Sequence, residues 1–237
     1  MSTIREIWRF PVKSVGGETV AEASVNEMGI EFDRAWGITD LATGLTLTAR
    51  RAPELLFASA RIEDGAVVVT LPDGQETADD VVLSSWLERD VALRRAQEDD
   101  HGRFEISLAE DESTDWVQWD GGAGSFHDSG RRRITIVSEA SLRDWDRRRF
   151  RINLITDGEP GDEIQHFDTQ AQVGTCVVDF IKMVDRCVVV TRPQPDGVER
   201  DLSVLKQVNA ELDGNLGVGG TIAKPGIVAV GDSVTAV

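Results

Sequence analysis

The sequence predicts a mainly β protein with a few helices, arranged as two barrel-like halves. Short apolar segments recur along the chain, and Gly, Asp and Pro turn signals separate them about every 8 to 12 residues. Helical periodicity is scarce by comparison, which favours a barrel or a sandwich. With 237 residues, the chain can bury a real core as one large domain or two small ones.

The predicted strands are spread over the whole chain. In order they are TIREIWRFPV, ETVAEASVNE, AWGITD, TLTAR, LFASARI, GAVVVTLP, VALRRA, RITIVS, RINLIT, TCVVDFIKMV, CVVVTR and GIVAVGDSVTAV. The segment GNLGVGG at 214–220 has the glycines of a dinucleotide fingerprint. It lacks a preceding strand pattern and a ribose-binding acid about 20 residues later, so we interpret it as a turn.

Two segments show helical spacing. In SEASLRDWDRR, Ser138 suits the N-cap position, and Leu142 and Trp145 lie three residues apart on one face. In ERDLSVLKQVNAEL at 199–212, leucine and valine residues recur at helical intervals. Each segment therefore predicts one helix.

The stretch from Ala96 to Asp120 differs in composition from its surroundings. It contains the acidic segments QEDDH and AEDESTDW, and the glycine-rich DGGAGSFHDSG follows. Such a stretch indicates a domain boundary or a solvent-exposed loop. We place the domain boundary near residues 95 to 110 and expect domains at 1–95 and 96–237.

The overall charge limits the class of partner. The net charge is −17 and the isoelectric point is near 4.5, which argues against nucleic acid or an anionic membrane as a partner for the whole surface. No segment approaches the roughly 20 apolar residues of a membrane span, so we expect a cytoplasmic protein.

The two cysteines have different surroundings. Cys176 lies in the apolar segment VGTCVVDFI and reads as a core residue, because a free cysteine packs like a small hydrophobe. Cys187 follows Arg186, and a neighbouring cation favours the thiolate that binds soft metals. No disulfide framework is expected. The three histidines, His101, His127 and His166, have no metal-ligand spacing, so no zinc site is expected.

Basic clusters stand out against the acidic background. They include RRR at 131–133, DRRRFRIN at 146–153, Lys13 in RFPVKSVGGE and Arg34 in EFDRAWGITD. Arginine forks, and a lysine beside a hydroxyl and glycines, suit a phosphate or polyanionic cofactor. The alternative is solvated surface charge that balances nearby acids.

Several segments resemble the MOSC-domain family, which includes the mitochondrial amidoxime-reducing component and bacterial relatives. IWRFPVKSVGGETV and GIEFDRAWGITDLATGLTLTARRAPEL resemble its N-terminal β-barrel domain. ITIVSEASLRDW, RRFRINLITDG, VDRCVVVT and LGVGGTIAKPGIVAVGDSV resemble successive pieces of its MOSC β-barrel domain. The order of the segments matches that of the family over nearly the whole chain.

The resemblance implies a molybdenum cofactor (molybdopterin) and a set of site residues. Cys187 falls on the cysteine ligand of molybdenum, and we single out Asp185 as a proton donor by proximity alone, with a structural role as the alternative. The implied cofactor-binding residues are Lys13, Ser14, Arg34, Ser138, Arg151, Asn153 and Arg186.

The implied activity is reduction of a small N-hydroxylated substrate with electrons from a separate donor protein. The sequence departs from the family pattern in two places. Arg192 and Pro193 lie in VVVTRPQPDG where the family usually has TTVDP, which we expect to reshape the substrate mouth, and Ile152 replaces the proline of RPN. One alternative is a cofactor carrier or sulfur-transfer protein without multiple turnover. Another is a β-barrel binding protein without metal. The pyridoxal-phosphate half of cofactor sulfurases is absent, so pyridoxal phosphate is not expected.

Overall fold

The computed structural model describes residues 2–98, 101–107 and 114–237. Parts of the acidic tract, residues 99, 100 and 108–113, lie outside the described residues. The strands, in chain order, are β1 (Ser2–Arg9), β2 (Glu18–Val20), β3 (Glu22–Asn26), β4 (Gly29–Ile30), β5 (Trp36–Asp40), β6 (Ser59–Glu63), β7 (Ala66–Thr70), β8 (Glu76–Thr77), β9 (Val91–Arg95), β10 (His101–Ser107), β11 (Trp116–Ala123), β12 (Ile134–Ser138), β13 (Leu154–Thr156), β14 (Thr169–Val173), β15 (Cys176–Asp185), β16 (Asn215–Lys224), β17 (Gly226–Ala229) and β18 (Ser233–Ala236).

A closed barrel of seven strands dominates the C-terminal half. Its order is β13, β12, β16, β15, β14, β18 and β1, and β1 pairs back onto β13 to close the circle. The first strand of the chain therefore completes a barrel whose other strands come from residues after 133. Closure leaves the barrel without a free edge.

The remaining strands form smaller sheets. β5 pairs with β9, β6 and β8 flank β7, β3 lies between β17 and β4, and β10 pairs with β11 in antiparallel orientation. The mainly β fold with a few helices, predicted from the turn spacing, is confirmed.

Two α-helices accompany the strands in the described ranges. Helix α2 (Leu202–Glu211) confirms the helix predicted at 199–212, and Asp201 caps it by accepting a hydrogen bond from the Ser203 amide. Helix α1 (Asp80–Leu87) was not predicted, although the Asp79 side chain caps it by accepting from the amides of Val81 and Val82. It has only eight residues and carries weak helix formers, so its helical pattern is short.

The predicted helix SEASLRDWDRR is wrong in extent. The segment instead forms two short 3₁₀ helices, Glu139–Leu142 and Arg147–Arg149. Arg143 has a φ of 55° between them, which a continuous helix cannot accommodate. Ser138 does cap the first of them, since its hydroxyl accepts a hydrogen bond from the Ser141 amide.

Three other predictions differ from the structure. CVVVTR is not a strand, because β15 ends at Asp185 and Val188–Thr191 form a 3₁₀ helix. GNLGVGG is not a turn: most of it lies in β16, where a side chain at Gly220 would collide with the backbone oxygen of Asp179. TLTAR contributes only an isolated bridge, from Thr46 to Thr39.

The described residues form three apolar core clusters. One fills the barrel around Phe180, a second fills the N-terminal half around Leu55 and Leu83, and a third lies under α2 around Phe150 and Val204. Two further 3₁₀ helices, Pro53–Phe57 and Asp162–His166, pack at the edges. No helix in the described ranges is both long and apolar enough to cross a membrane.

Candidate functional site

A cavity of about 150 Å³ lies where the two halves meet. The loop after β1, the segment before β12, the loop before β13 and the end of β15 all contribute to its wall. Its principal lining residues are Lys13, Ser14, Arg34, Thr48, Arg50, His127, Asp128, Arg132, Arg149, Arg151, Asn153, Asp185, Arg186 and Cys187. All the predicted site residues except Ser138 are in this wall.

Cys187 follows β15, a barrel strand of ten residues. β15 carries the chain to the cavity, ends at Asp185, and Cys187 then precedes the 3₁₀ helix Val188–Thr191. The thiol is half-buried and has no hydrogen-bond partner in the part of the chain that is described. It is thus free to accept a ligand from the cavity.

Cys176 lies inside the barrel instead. It is fully buried, and its thiol donates to the Val173 carbonyl oxygen at 2.9 Å. Burial raises the pKa of this thiol to about 11. Both cysteines are free, and the prediction that Cys176 is a core residue is confirmed.

Lys13 and Ser14 lie on the loop that follows β1. The Lys13 ammonium is buried, donates to the Phe126 carbonyl oxygen at 3.1 Å and forms an ion pair with Asp128. Burial lowers the pKa of Lys13 despite that pairing. The Ser14 hydroxyl accepts a hydrogen bond from the Ala49 amide at 2.9 Å, which ties this loop to the segment at 48–50.

Arg34 and Arg151 are neighbours across the two halves. Arg34 pairs with the fully buried Asp33 and donates to the Arg151 carbonyl oxygen at 2.7 Å. Arg151 donates to the Val15 carbonyl oxygen. Burial, with repulsion from Arg34, lowers the pKa of Arg151 to about 9. Both arginines have positive φ angles, 51° and 53°, a strained conformation that often occurs at functional sites.

Arg186 and Arg149 hold the backbone around the thiol. Arg186 donates to the carbonyl oxygens of Leu216 (2.5 and 3.0 Å) and Phe150 (2.7 Å). Arg149 donates to those of Val190, Arg192 and Glu199, at 2.7 to 3.2 Å. Burial lowers the pKa of Arg186 to about 9, and Arg132 adds repulsion. These contacts fix the chain on both sides of Cys187.

The other predicted residues lie at the base, at the rim and outside the cavity. Asn153 is buried at the base, where its amide nitrogen donates to the Trp8 carbonyl and its oxygen accepts from Thr135. Asp185 is at the rim, 60% exposed, and pairs with Arg132 at 3.3 Å. Ser138 is fully buried against Glu159 and Ser141, so the structure does not bring it to the cavity.

Several cavity residues were not singled out from the sequence. Asp128 neutralises Lys13: burial opposes its charged form, but attraction to Lys13 and Arg132 outweighs this and its pKa is lowered. Burial lowers the pKa of His127 well below its ordinary value. Both residues follow the glycine-rich end of β11, and as a contiguous polar pair they could have signalled the site.

The cavity is cationic although the protein is acidic. Seven lysine and arginine side chains line it, against the two carboxylates Asp128 and Asp185, within the described ranges. Arg149, Arg151 and Arg186 donate to neutral backbone carbonyls and form no ion pair in the part of the chain that is described. A bound anion would offset this buried positive charge.

The donor set fits a molybdenum cofactor. Thr48 and His127 line the cavity, and one buried polar atom of each, Thr48 Oγ1 and His127 Nε2, lacks a hydrogen-bond partner among the described residues. No group of three or more His, Cys, Asp and Glu residues suited to a metal occurs in those residues. Cys187 would be a single protein ligand, so a metal here needs further ligands from a cofactor.

Two family models together match nearly the whole chain. The MOSC N-terminal beta barrel domain matches residues 1–118, and the MOSC domain matches residues 123–235. The chain belongs to the MOSC-domain family, which is associated with the molybdenum cofactor.

Curated relatives match over short segments. The chain is 31% identical over 74 residues to mitochondrial amidoxime-reducing component 1 of Mus musculus, covering 30% of this chain and 22% of the relative. It is 33% identical over 89 residues to mitochondrial amidoxime reducing component 2 of Homo sapiens, covering 36% and 25%. The matched segments thus span about a quarter of each relative's length.

Solved structures show weak similarity. The YUAD protein of Bacillus subtilis gives a TM-score of 0.46 at 10% identity, covering 98% of this chain and 93% of that one. YiiM from Geobacillus stearothermophilus gives 0.36 at 11% identity, covering 76% and 71%. At these TM-scores, neither similarity bears on fold or function.

Proposed function

We propose that the protein is a molybdenum-cofactor oxidoreductase that reduces small N-hydroxylated compounds with electrons from a separate donor protein in the cytoplasm. The observation that carries the proposal is the position of one thiol without a hydrogen-bond partner, Cys187, in a cavity where three buried or half-buried arginines form no ion pair among the described residues. A thiolate is a soft metal ligand, and the arginines suit the anionic part of a cofactor. The family and the matched amidoxime-reducing components support the same reading.

The protein's own groups would divide the work of binding. Cys187 holds the metal, Lys13, Arg34 and Arg151 bind the anionic part of the cofactor, and Ser14 keeps the Lys13 loop in place through its bond to Ala49. When bound, the molybdenum cofactor supplies the two-electron redox chemistry by which the N–O bond of the substrate is cleaved.

Arg149 and Arg186 act on the backbone rather than on the ligand. Together they donate to carbonyl oxygens of five residues, before and after Cys187. This bonding keeps the thiol at one position relative to the cavity wall.

Removal of the substrate oxygen as water requires protons. Asp185 at the rim is our candidate to transfer one, because it is exposed to solvent and borders the cavity. It also pairs with Arg132 (3.3 Å) and Lys182 (3.7 Å), which hold the carboxylate at the rim. Asp185→Asn should lower turnover while leaving molybdenum content unchanged.

The proposal is tested by measuring product formed per molybdenum. Full-length protein from a cofactor-competent host is supplied with reduced viologen and an amidoxime, with molybdenum and pterin quantified in the same sample. We expect many products per metal in wild-type protein and none in Cys187→Ala, whereas Cys176→Ala keeps activity.

Two outcomes would contradict this expectation. Full activity in Cys187→Ala would show that the thiol is not the metal ligand. A molybdenum-loaded wild-type sample that never exceeds one product per metal, across several N-hydroxylated substrates, would favour the cofactor carrier or sulfur-transfer protein.

A further inference from the structure

Phe10 lies between β1 and the Lys13 loop and contacts two cavity arginines. The guanidinium carbon of Arg34 is 4.6 Å from the centre of the Phe10 ring, and that of Arg151 is 4.7 Å from the same centre. Phe10 itself is 2% exposed. One aromatic ring thus contacts two like charges.

The ring is held firmly in place. It stacks on Trp8 with centroids 6.0 Å apart and an interplanar angle of 14°. Gly17 packs against its edge so closely that a Cβ there would lie 2.5 Å from a ring carbon. The Phe10 ring therefore has little freedom to move.

The backbone of Phe10 is tied to the same arginine pair. Its amide donates to Asp33 at 2.8 Å, and its carbonyl oxygen accepts from the Arg34 amide at 2.7 Å. Arg34 in turn donates to the Arg151 carbonyl oxygen. Ring and backbone thus both connect Phe10 to Arg34 and Arg151.

Two adjacent guanidinium groups repel each other, and free arginine side chains lose considerable rotamer entropy when they are ordered. The negative face of an aromatic ring attracts each cation and so offsets part of that repulsion. We propose that Phe10 is a positioning residue, whose ring keeps the guanidinium groups of Arg34 and Arg151 together so that both can bind one phosphate-like anion. This inference rests on the proposed function, in which that anion belongs to the cofactor.

The test uses the full-length protein made in a host that cannot synthesise molybdopterin, with inorganic phosphate as the probe. Calorimetric titration compares wild type with Phe10→Leu, which keeps an apolar side chain but removes the ring. We expect phosphate to bind about tenfold more weakly to Phe10→Leu, a loss of about 1.4 kcal/mol for two weakened cation contacts.

Phe180→Leu is the matched control. Phe180 is equally buried, lies in the barrel core and contacts the His166 ring rather than a cavity arginine. It should lose stability as Phe10→Leu does, yet bind phosphate like wild type. Phe10→Tyr retains the aromatic face and should bind phosphate within about twofold of wild type.

Equal phosphate affinity in Phe10→Leu and Phe180→Leu, or no phosphate binding to wild type, would overturn the positioning role. The proposed function is tested separately, by the measurement of product per molybdenum. If phosphate binding depends on Phe10 but molybdenum-loaded protein gives no multiple turnover, the role of Phe10 stands and the oxidoreductase does not. If turnover occurs and Phe10→Leu binds phosphate normally, only the role of Phe10 is lost.

Discussion

At the scale of single residues, the two cysteines show how location separates chemistry from packing. Cys176 begins β15, Cys187 follows its end, and both are free. Cys176 is fully buried and donates to a backbone carbonyl, whereas Cys187 lies half-buried in a cationic cavity. The same side chain is therefore a small core residue in one place and a candidate metal ligand in the other.

This difference predicts the thiol reactivity of the cofactor-free protein. A thiol-specific chromogenic reagent should label Cys187 in the native protein at neutral pH and leave Cys176 unlabelled. The pKa of Cys176 is raised to about 11, so its reactive thiolate is scarce until the pH approaches that value or the protein unfolds. The measurement is thiols labelled per chain before and after adding guanidinium chloride. Rapid native labelling that persists in Cys187→Ala would contradict it.

The arginines facing the cavity give a second prediction. Arg151→Ala should lower cofactor occupancy by a penalty of about 1.5 to 3 kcal/mol, because a charge-assisted hydrogen bond to the anion is lost. Arg151→Lys should restore occupancy poorly, since an ammonium cannot reproduce the guanidinium fork. Pterin and molybdenum content measure the effect, and Arg131→Ala at an exposed position is the control. Unchanged pterin content in Arg151→Ala would mean that this arginine does not bind the cofactor.

At the scale of secondary-structure elements, short 3₁₀ helices and polar side chains connect the strands. The buried Glu163 of the 3₁₀ helix Asp162–His166 accepts hydrogen bonds from the Ser138 amide at 3.3 Å and the Ser141 hydroxyl at 2.9 Å. Ser138 ends β12, so this carboxyl joins the 3₁₀ helix to a barrel strand. The Ser138 hydroxyl donates to the Glu159 carbonyl oxygen and accepts from the Ser141 amide beside this link, which explains why it is absent from the cavity.

Burial of Glu163 makes this link dependent on pH. Burial raises the pKa of Glu163, so the folded state favours the neutral carboxyl. The free energy of unfolding therefore falls as the pH rises above 4.5, the pKa of this carboxyl in the unfolded chain. Glu163→Gln keeps an oxygen acceptor without the charge. We expect it to raise the free energy of unfolding at pH 7 by about 1 kcal/mol.

The advantage of Glu163→Gln should shrink as the pH falls through 4.5, because the wild-type carboxyl is then protonated in both states. Denaturant unfolding at pH 7 and pH 4 measures it, and Glu31→Gln at an exposed position is the control. A destabilised Glu163→Gln variant at pH 7 would show that the ionised carboxylate, not the neutral acid, is required.

At the scale of the whole molecule, the N-terminal segment belongs to both halves. β1 lies between β18 and β13 in the closed barrel, and β3 pairs with β17 near the C-terminus. The loop that follows β1 then carries Lys13 into the cavity. Barrel closure and the assembly of the site therefore depend on the same segment.

This topology predicts how fragments of the chain behave. Residues 96–237 expressed alone should not unfold cooperatively, because the barrel lacks β1 and exposes the edges of β13 and β18. Adding the 1–95 fragment should restore a cooperative transition, as followed by circular dichroism during thermal unfolding. A 96–237 fragment that is stable and monomeric by itself would contradict this expectation. The boundary between residues 95 and 110 stays a prediction.

The sequence by itself determined much that depends on local pattern. Apolar runs between turn residues predicted the mainly β class, and leucine and valine spacing predicted α2, because each signal lies within a few neighbouring residues. The contrast between Cys176 and Cys187 also came from immediate neighbours. The choice of Lys13, Arg34, Arg151 and Asn153 came from family resemblance, and the structure then placed all four in one cavity wall.

Only the tertiary structure decided features that join distant segments. In the structure, Ser138 lies outside the cavity, and CVVVTR contains a 3₁₀ helix with a carbonyl oxygen that accepts from Arg149. Most of GNLGVGG belongs to β16, which pairs with β15. The tertiary structure also brought Asp128 to Lys13, 115 residues away, and placed Arg34 and Arg151 on one Phe10 ring. These outcomes depend on barrel closure. Contacts between distant segments decide which backbone carbonyls need a hydrogen-bond donor and which charged side chains become neighbours. A pattern of neighbouring residues contains no information on such contacts.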